Sequence, residues 1–140
     1  MKFPAIILLL LAMSCNQSSN SLEKNQAHQP SKKVFFKNIN SSDTLTSPFI
    51  IEMGVSGMQI KPAGTLETGT GHHHLIIDKG FLAYGEIIPM DKQHLHYGKG
   101  DSVVTVELDS DPHTLTLQFA NGMHMSYGEQ FSNQINIYIK

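Results

Sequence analysis

Histidines are concentrated in one part of this chain, in groups whose spacing matches that of a β-strand. Seven of the eight histidines lie between residues 72 and 124. The segment His72–His74 is histidine throughout, and His94 and His96 are separated by one residue. In an extended chain, side chains two residues apart point to the same face, so each group can aim two imidazoles at one point. Imidazole is the commonest side-chain metal ligand and changes charge near neutral pH, so the pattern predicts a metal site or a pH-sensitive site.

A zinc ion needs three or four protein ligands, and this part of the chain contains enough histidines to coordinate one. The predicted ligands are His72, His74, His96 and His124, with Asp78, His94 and His113 as further candidates. Imidazole suits zinc and copper, and the triplet Met123-His124-Met125 keeps copper open because thioether ligands add a preference for Cu(I). The spacing permits such a site without being diagnostic, since the sequence has no HExxH and no paired cysteine motif.

Each histidine also has an interpretation that needs no metal. His113 is in register with the apolar residues of the strand pattern after it, which is typical of a histidine at the edge of the core that is bonded to backbone. His124 follows the turn Asn121-Gly122, where an exposed side chain is the default. Asp78 is suited to shaping the turn that precedes Lys79-Gly80. A hydrogen-bonded histidine cluster without metal therefore stays open.

The charge of the chain argues against nucleic acid as a partner. From residue 34 onward, six lysines face eleven Asp and Glu residues, which gives a net charge of about −5 with neutral histidine, and arginine is absent. Binding to nucleic acid depends on lysine and arginine side chains that neutralise phosphates. The hydrophobic content of 40% is ordinary for a globular domain. With 140 residues, the chain is also long enough to form one hydrophobic core.

The N-terminus is typical of an export signal. Lys2 precedes an apolar run over residues 6–11 that is too short to span a bilayer. The segment Leu11-Ala12-Met13-Ser14-Cys15 resembles a bacterial lipobox, in which the cysteine becomes lipidated, and Cys15 has no second cysteine with which to form a disulfide. An ordinary cleavage site beside an incidental cysteine is the alternative. We predict a lipoprotein signal peptide over residues 1–14 and a lipid anchor at Cys15.

The segment after this cysteine is almost free of apolar residues. Residues 15–33 therefore form, in our prediction, the lipidated cysteine and a disordered polar tether, and His28 in this tether is unrelated to the other histidines. The expected location is the bacterial cell envelope, at the outer membrane, with the membrane as partner through the lipid.

From residue 34 the chain consists of short apolar runs separated by turn residues. The strand-like runs cover residues 34–36, 49–55, 58–60, 75–77, 103–108, 114–119 and 135–139. No stripe with a period of 3.6 residues follows residue 34, so no long helix is expected. The pattern predicts one all-β domain over residues 34–140. We expect an immunoglobulin-like antiparallel β-sandwich, with a small β-barrel of cupin-like type as the alternative.

Several segments of this domain resemble a bacterial family called domain of unknown function 4399. They are residues 62–64, 71–78, 88–100 and 113–117, and the block Gly71-His72-His73-His74-Leu75 is the most specific of them. The resemblance covers about residues 34–140 and implies a small exported β domain, often secreted or lipid-anchored, with no established activity. The chain departs from the family pattern after His124, over residues 125–128, which leaves the number of ligands open.

Catalysis has little support in the sequence. The segment Gly54-Val55-Ser56-Gly57 lacks the second spacer residue of a nucleophile elbow, and residues 34–140 contain no cysteine nucleophile. We predict an envelope lipoprotein that binds zinc or copper rather than an enzyme. Two alternatives remain: a structural or adhesive envelope lipoprotein with a metal-free histidine cluster, and a cupin-like metal-dependent enzyme, since His72, His74 and Asp78 loosely follow the first cupin motif.

Overall fold

The computed structural model describes residues 33–140, which contain nine strands and one short 3₁₀ helix. The strands are β1 (Val34–Phe36), β2 (Thr44–Leu45), β3 (Phe49–Val55), β4 (Gln59–Ile60), β5 (Thr70–Ile77), β6 (His94–His96), β7 (Val103–Val106), β8 (Pro112–Ala120) and β9 (Ser132–Ile139), and the helix is η1 (Glu129–Phe131). None of the described residues belongs to a helix long and apolar enough to cross a membrane. The predicted signal peptide, Cys15 and His28 lie outside the described residues.

The strands form two sheets. One contains three strands in the order β1-β3-β7, and the other has the order β2-β9-β8-β5-β4, with β6 also paired to β5. Alternate residues of both sheets enter one core, for example Ile51 and Met53 of β3 and Ile135 and Ile137 of β9. This period of two is the pattern of strands with one face toward a core. The predicted all-β sandwich is confirmed.

The strand pairing is antiparallel except at two edges of the larger sheet. β2 pairs with β9 in parallel, and β4 pairs with β5 in parallel, each through only two residue pairs. Strands of two residues carry too little pattern to be recognised in a sequence, and β2 is not among the predicted strands. The antiparallel prediction therefore describes the main body of the sheets but not these two edges.

Strand β5 begins at Thr70, ahead of the three histidines that the spacing places in an extended chain and well before the apolar run over residues 75–77. All eight of its residues are buried. It pairs with β8 on one side and with β4 and β6 on the other, so its backbone is hydrogen-bonded along both edges. Gly69, directly before the strand, has a left-handed backbone, with φ of 74°. The three consecutive histidines thus lie inside a central strand.

The face of the larger sheet that points away from the core is covered by two connecting segments, residues 78–91 and 121–128. The buried side chain of Gln118 accepts a hydrogen bond from the backbone N–H of Leu82 and donates to the Leu82 carbonyl and the Ser126 hydroxyl. Ile88, within the first of these segments, is 1% exposed. Polar groups on this face are therefore shielded from water.

Candidate metal centre

The register of β5 and β6 brings three histidines to the covered face of the larger sheet. His72 and His74 are two residues apart on β5 and share this face. His96 of β6 lies directly opposite His74 in the antiparallel pair. Residues directly opposite each other in such a pair have neighbouring side chains on one face. The sheet alone thus supplies three imidazoles to one point.

The fourth imidazole, that of His124, comes from the covering segment. The side-chain oxygen of Asn121 accepts hydrogen bonds from the backbone N–H groups of Met123 and Met125. This turn places His124 in the left-handed region, with φ of 63°, and the His124 carbonyl accepts a hydrogen bond from the Ile88 backbone. The turn therefore folds back over the sheet and presents the predicted ligand His124 to the other three histidines, rather than exposing it to solvent.

These residues, His72, His74, His96 and His124, are called the four-histidine cluster below. Each member contributes one ring nitrogen, and these four nitrogens all lie within 4.8 Å of one another. Five of the six distances between ring centroids are 4.7–5.1 Å, and the sixth is 5.9 Å. Four points at nearly equal separations form a tetrahedron, whereas a square would have two diagonals about 1.4 times its edges. Tetrahedral coordination at 2.0–2.1 Å from nitrogen would place imidazole centroids about 5 Å apart.

Each member of the cluster carries a buried ring nitrogen without a hydrogen-bond partner among the described residues. These atoms are His96 Nε2 and the Nδ1 atoms of His72, His74 and His124. The Nε2 atoms of His72 and His74 are 3.0 Å apart and so face each other.

Burial lowers the pKa of three members of the cluster. Desolvation lowers the pKa of His72 to about 4 and that of His74 to about 2, and the neighbouring imidazoles lower both further. Desolvation, with His124, also lowers the pKa of His96. Metal ligation requires the neutral imidazole, so these three side chains are in the ligating protonation state at neutral pH.

Two of the further candidates, Asp78 and His113, interact with each other instead. His113 Nδ1 is 3.0 Å from a carboxylate oxygen of Asp78, and His113 Nε2 is 3.1 Å from the Asp109 carbonyl oxygen. The other Asp78 oxygen accepts from the Thr114 backbone. Burial alone would lower the pKa of His113, but these bonds raise it. His113 thus contacts a backbone carbonyl, as its interpretation without a metal expects, and its bond to Asp78 fastens the end of β5 to β8.

His94, the third further candidate, faces the same side of β6 as His96 but lies opposite Ile76. Its Nδ1 is 2.8 Å from Asp91, whose carboxylate also accepts from the backbone of Gln93 and His94. The hydrogen bond from His94 is the main reason that the pKa of Asp91 is lowered. This pair anchors the entry into β6 and so helps to position His96.

His73 alternates to the opposite face of β5 and enters the core. It is fully buried, its ring centroid is 5.0 Å from that of Phe119, and neither ring nitrogen has a hydrogen-bond partner within residues 33–140. Desolvation lowers the pKa of His73 to about 4, with His72 and Lys37 adding to this effect. His73 is therefore a core residue and takes no part in the cluster.

Sequence reasoning missed two residues that position the cluster. Asn121 holds the turn that carries His124, and its only sequence signal is the dipeptide Asn-Gly. Gly98 lies against the His96 ring, so that a Cβ atom at this position would collide with it. The glycines around residue 100 indicate a loop but not this contact.

The block that contains the consecutive histidines has a counterpart in known sequences. The family model described as Domain of unknown function (DUF4399) matches residues 51–140. The chain belongs to this family. The resemblance identified in the sequence is confirmed, and the part of the chain that matches DUF4399 includes all members of the four-histidine cluster. Neither a curated protein nor a solved structure matches the chain.

Proposed function

We propose that this DUF4399 protein binds one zinc or copper ion through the four-histidine cluster. The near-tetrahedral arrangement of four imidazoles is the observation that carries the proposal. Zinc and copper both accept imidazole nitrogen, and zinc is almost always tetrahedral in structural sites. The lowered pKa values of His72, His74 and His96 remove the competition with protons that weakens ligation near neutral pH.

The number of donors favours binding over catalysis. Catalytic zinc sites use three protein ligands and leave a fourth position for water or substrate. Four imidazoles complete a tetrahedral shell, so a bound ion has no open position while all four are engaged. In a cupin-like enzyme, one histidine of the cluster would have to leave the ion so that water or substrate could bind. His124 is the member that lies outside the sheet.

Metal content measured after chelator treatment and reloading tests the proposal. The purified chain should take up one equivalent of Zn²⁺ or copper, and His72→Ala or His74→Ala should abolish uptake. His124→Asn removes the fourth imidazole while keeping a residue that tolerates the left-handed backbone, and it should weaken binding strongly. His73→Ala and His28→Ala are the matched controls and should retain one equivalent.

A metal-free histidine cluster in a structural or adhesive lipoprotein is the second candidate. It is favoured by the contact between His72 Nε2 and His74 Nε2, which already gives each ring one partner without an ion. Under this alternative, Zn²⁺ and Cu²⁺ would leave the thermal unfolding temperature unchanged. A ligand that binds the folded state stabilises that state. An unfolding temperature that rises on addition of metal in the parent but not in His74→Ala would therefore exclude the metal-free alternative.

We also propose that Cys15 carries the lipid that holds the protein in the bacterial cell envelope, at the outer membrane. The lipobox-like segment and the absence of a second cysteine support this proposal. Residues 15–33 would then connect the anchor to the β domain. Cys15→Ser should move the protein from the membrane fraction to the soluble fraction or leave an uncleaved precursor. A variant that fractionates like the parent would show that the anchor assignment is wrong.

A further inference from the structure

We propose that the four-histidine cluster binds Cu(I) more tightly than Cu(II). This inference rests on the proposed metal-binding function and specifies which oxidation state of copper the site selects. Three observations carry it: the shape of the cluster, the charge of its donors and its burial.

The shape of the cluster disfavours Cu(II). Cupric ion prefers square-planar or tetragonal coordination, which requires two pairs of ligands at opposite corners. The opposed pairs would be His74 with His124, at 5.9 Å between centroids, and His72 with His96, at 5.0 Å. The second pair is no longer than the neighbouring contacts, so the donors do not lie near a square. A d¹⁰ ion such as Cu(I) has no such geometric demand, as is also true of zinc.

The sheet makes this shape difficult to change. His72 and His74 are fixed by the ladder of β5 with β8, and His96 by its pairing with His74. The His96 ring also lies so close to Gly98 that a Cβ atom there would collide with it, which leaves the ring little room on that side. The tetrahedral arrangement is therefore imposed by the fold rather than adapted to the ion.

The charge of the donor set favours the ion of lower charge. The four ligands are neutral imidazoles, and none of the carboxylates in residues 33–140 belongs to the cluster. The carboxylate of Asp91 is hydrogen-bonded to His94 instead. Transferring an ion out of water costs free energy that grows with the square of its charge, so a divalent ion costs about four times as much as a monovalent one. Without an anionic ligand, the protein offers little compensation for the second charge.

Burial makes this charge penalty effective. His72 and His74 are fully buried, and Ala120, opposite His72, is fully buried as well. Ile88 of the covering segment is 1% exposed, and its backbone N–H donates to the His124 carbonyl, which ties this segment to the turn that carries His124. His96 and His124 are half-buried, so the electrostatic cost of charge is largest on the side of the site that His72 and His74 form.

Two titrations of the full chain test the inference. Cu(I) affinity is measured without oxygen by competition with bicinchoninate, and Cu(II) affinity by competition with a cupric chelator, with electron paramagnetic resonance of the Cu(II) form. We expect Cu(I) to bind at least about 100-fold more tightly, which corresponds to a Cu(II)/Cu(I) potential raised by about 120 mV at 59 mV per tenfold. His74→Ala should lose most of the Cu(I) affinity, whereas His113→Gln, outside the cluster, should keep it.

The outcomes separate this inference from the proposed function. Cu(II) bound as tightly as Cu(I), with a tetragonal spectrum, would overturn the inference and leave metal binding intact. One equivalent of zinc with no uptake of either form of copper would do the same. A chain that takes up neither zinc nor copper would overturn both.

Discussion

His73 provides a quantitative test of the structure, because its neutral imidazole is buried in the core without a hydrogen-bond partner among the described residues. Leucine is similar in volume and apolar, so His73→Leu should remove the cost of an unsatisfied buried polar group, about 1–3 kcal/mol. The lost ring contact with Phe119 offsets about 0.5–1.5 kcal/mol of this gain. At pH 7 the variant should therefore be more stable than the parent by about 1 kcal/mol.

Acidification should widen this difference. The ordinary histidine pKa is 6.5, and burial lowers that of His73 to about 4, so between these values the unfolded chain binds a proton that the folded chain does not. The parent therefore loses stability as the pH falls below 6.5, whereas the variant lacks this contribution. Between pH 7 and pH 5 the difference in unfolding free energy should grow by about 2 kcal/mol.

Urea unfolding of chelator-treated protein at pH 7 and pH 5 measures both quantities. A difference in unfolding free energy that is the same at the two pH values would refute the assignment of His73 to a dry core. A variant less stable than the parent at pH 7 would show that the imidazole nitrogens are satisfied in solution. Metal uptake should be unchanged in His73→Leu, which separates this effect from the cluster.

Three further substitutions test how the fold positions the histidines. Gly98→Ala should displace the His96 ring and lower metal affinity at least about tenfold, because loss of a group that orients a ligand typically costs that much affinity. Gly80→Ala is the matched control, since a Cβ there meets nothing within 4 Å. Asn121→Ala removes the acceptor of two backbone hydrogen bonds, so it should also weaken metal binding about tenfold or more, as measured by chelator competition. The effect of His113→Gln should have the opposite pH dependence to that of His73→Leu. Because the pKa of His113 is raised, the contribution of His113 to stability is greatest below pH 6.5 and is lost as the pH rises through the raised value. Its destabilisation in urea should therefore be larger at pH 5 than at pH 8, and a larger effect at pH 8 would contradict the charged pair with its carboxylate.

The part of the cluster that lies on one strand was predictable from spacing alone. A period of two places His72 and His74 on one face and His73 on the other, whatever the rest of the fold does. The all-β class followed from short apolar runs in the same way. These inferences need only local geometry, and the structure confirms them.

The rest of the cluster depends on long-range pairing. His96 faces His74 because of the register between β5 and β6, and the strands are joined by a connection whose path no local pattern specifies. His124 belongs to a turn that local chemistry assigns to the surface, and only its return over the sheet buries the Nδ1 atom. Asp78, His94 and His113 had equally suitable side chains, but their partners were set by tertiary contacts.

The consecutive histidines show why residue type alone does not assign a role. His72 and His74 face a point where two other imidazoles converge, so lowered pKa values there keep ligand nitrogens available. His73 has a similarly lowered pKa, but its nitrogens face apolar side chains and can only cost stability. The same desolvation therefore costs stability in acid on both faces of β5, but it supports ligation on only one of them. A substitution at His73 can thus alter acid stability without altering metal affinity, whereas a substitution at His72 or His74 alters both.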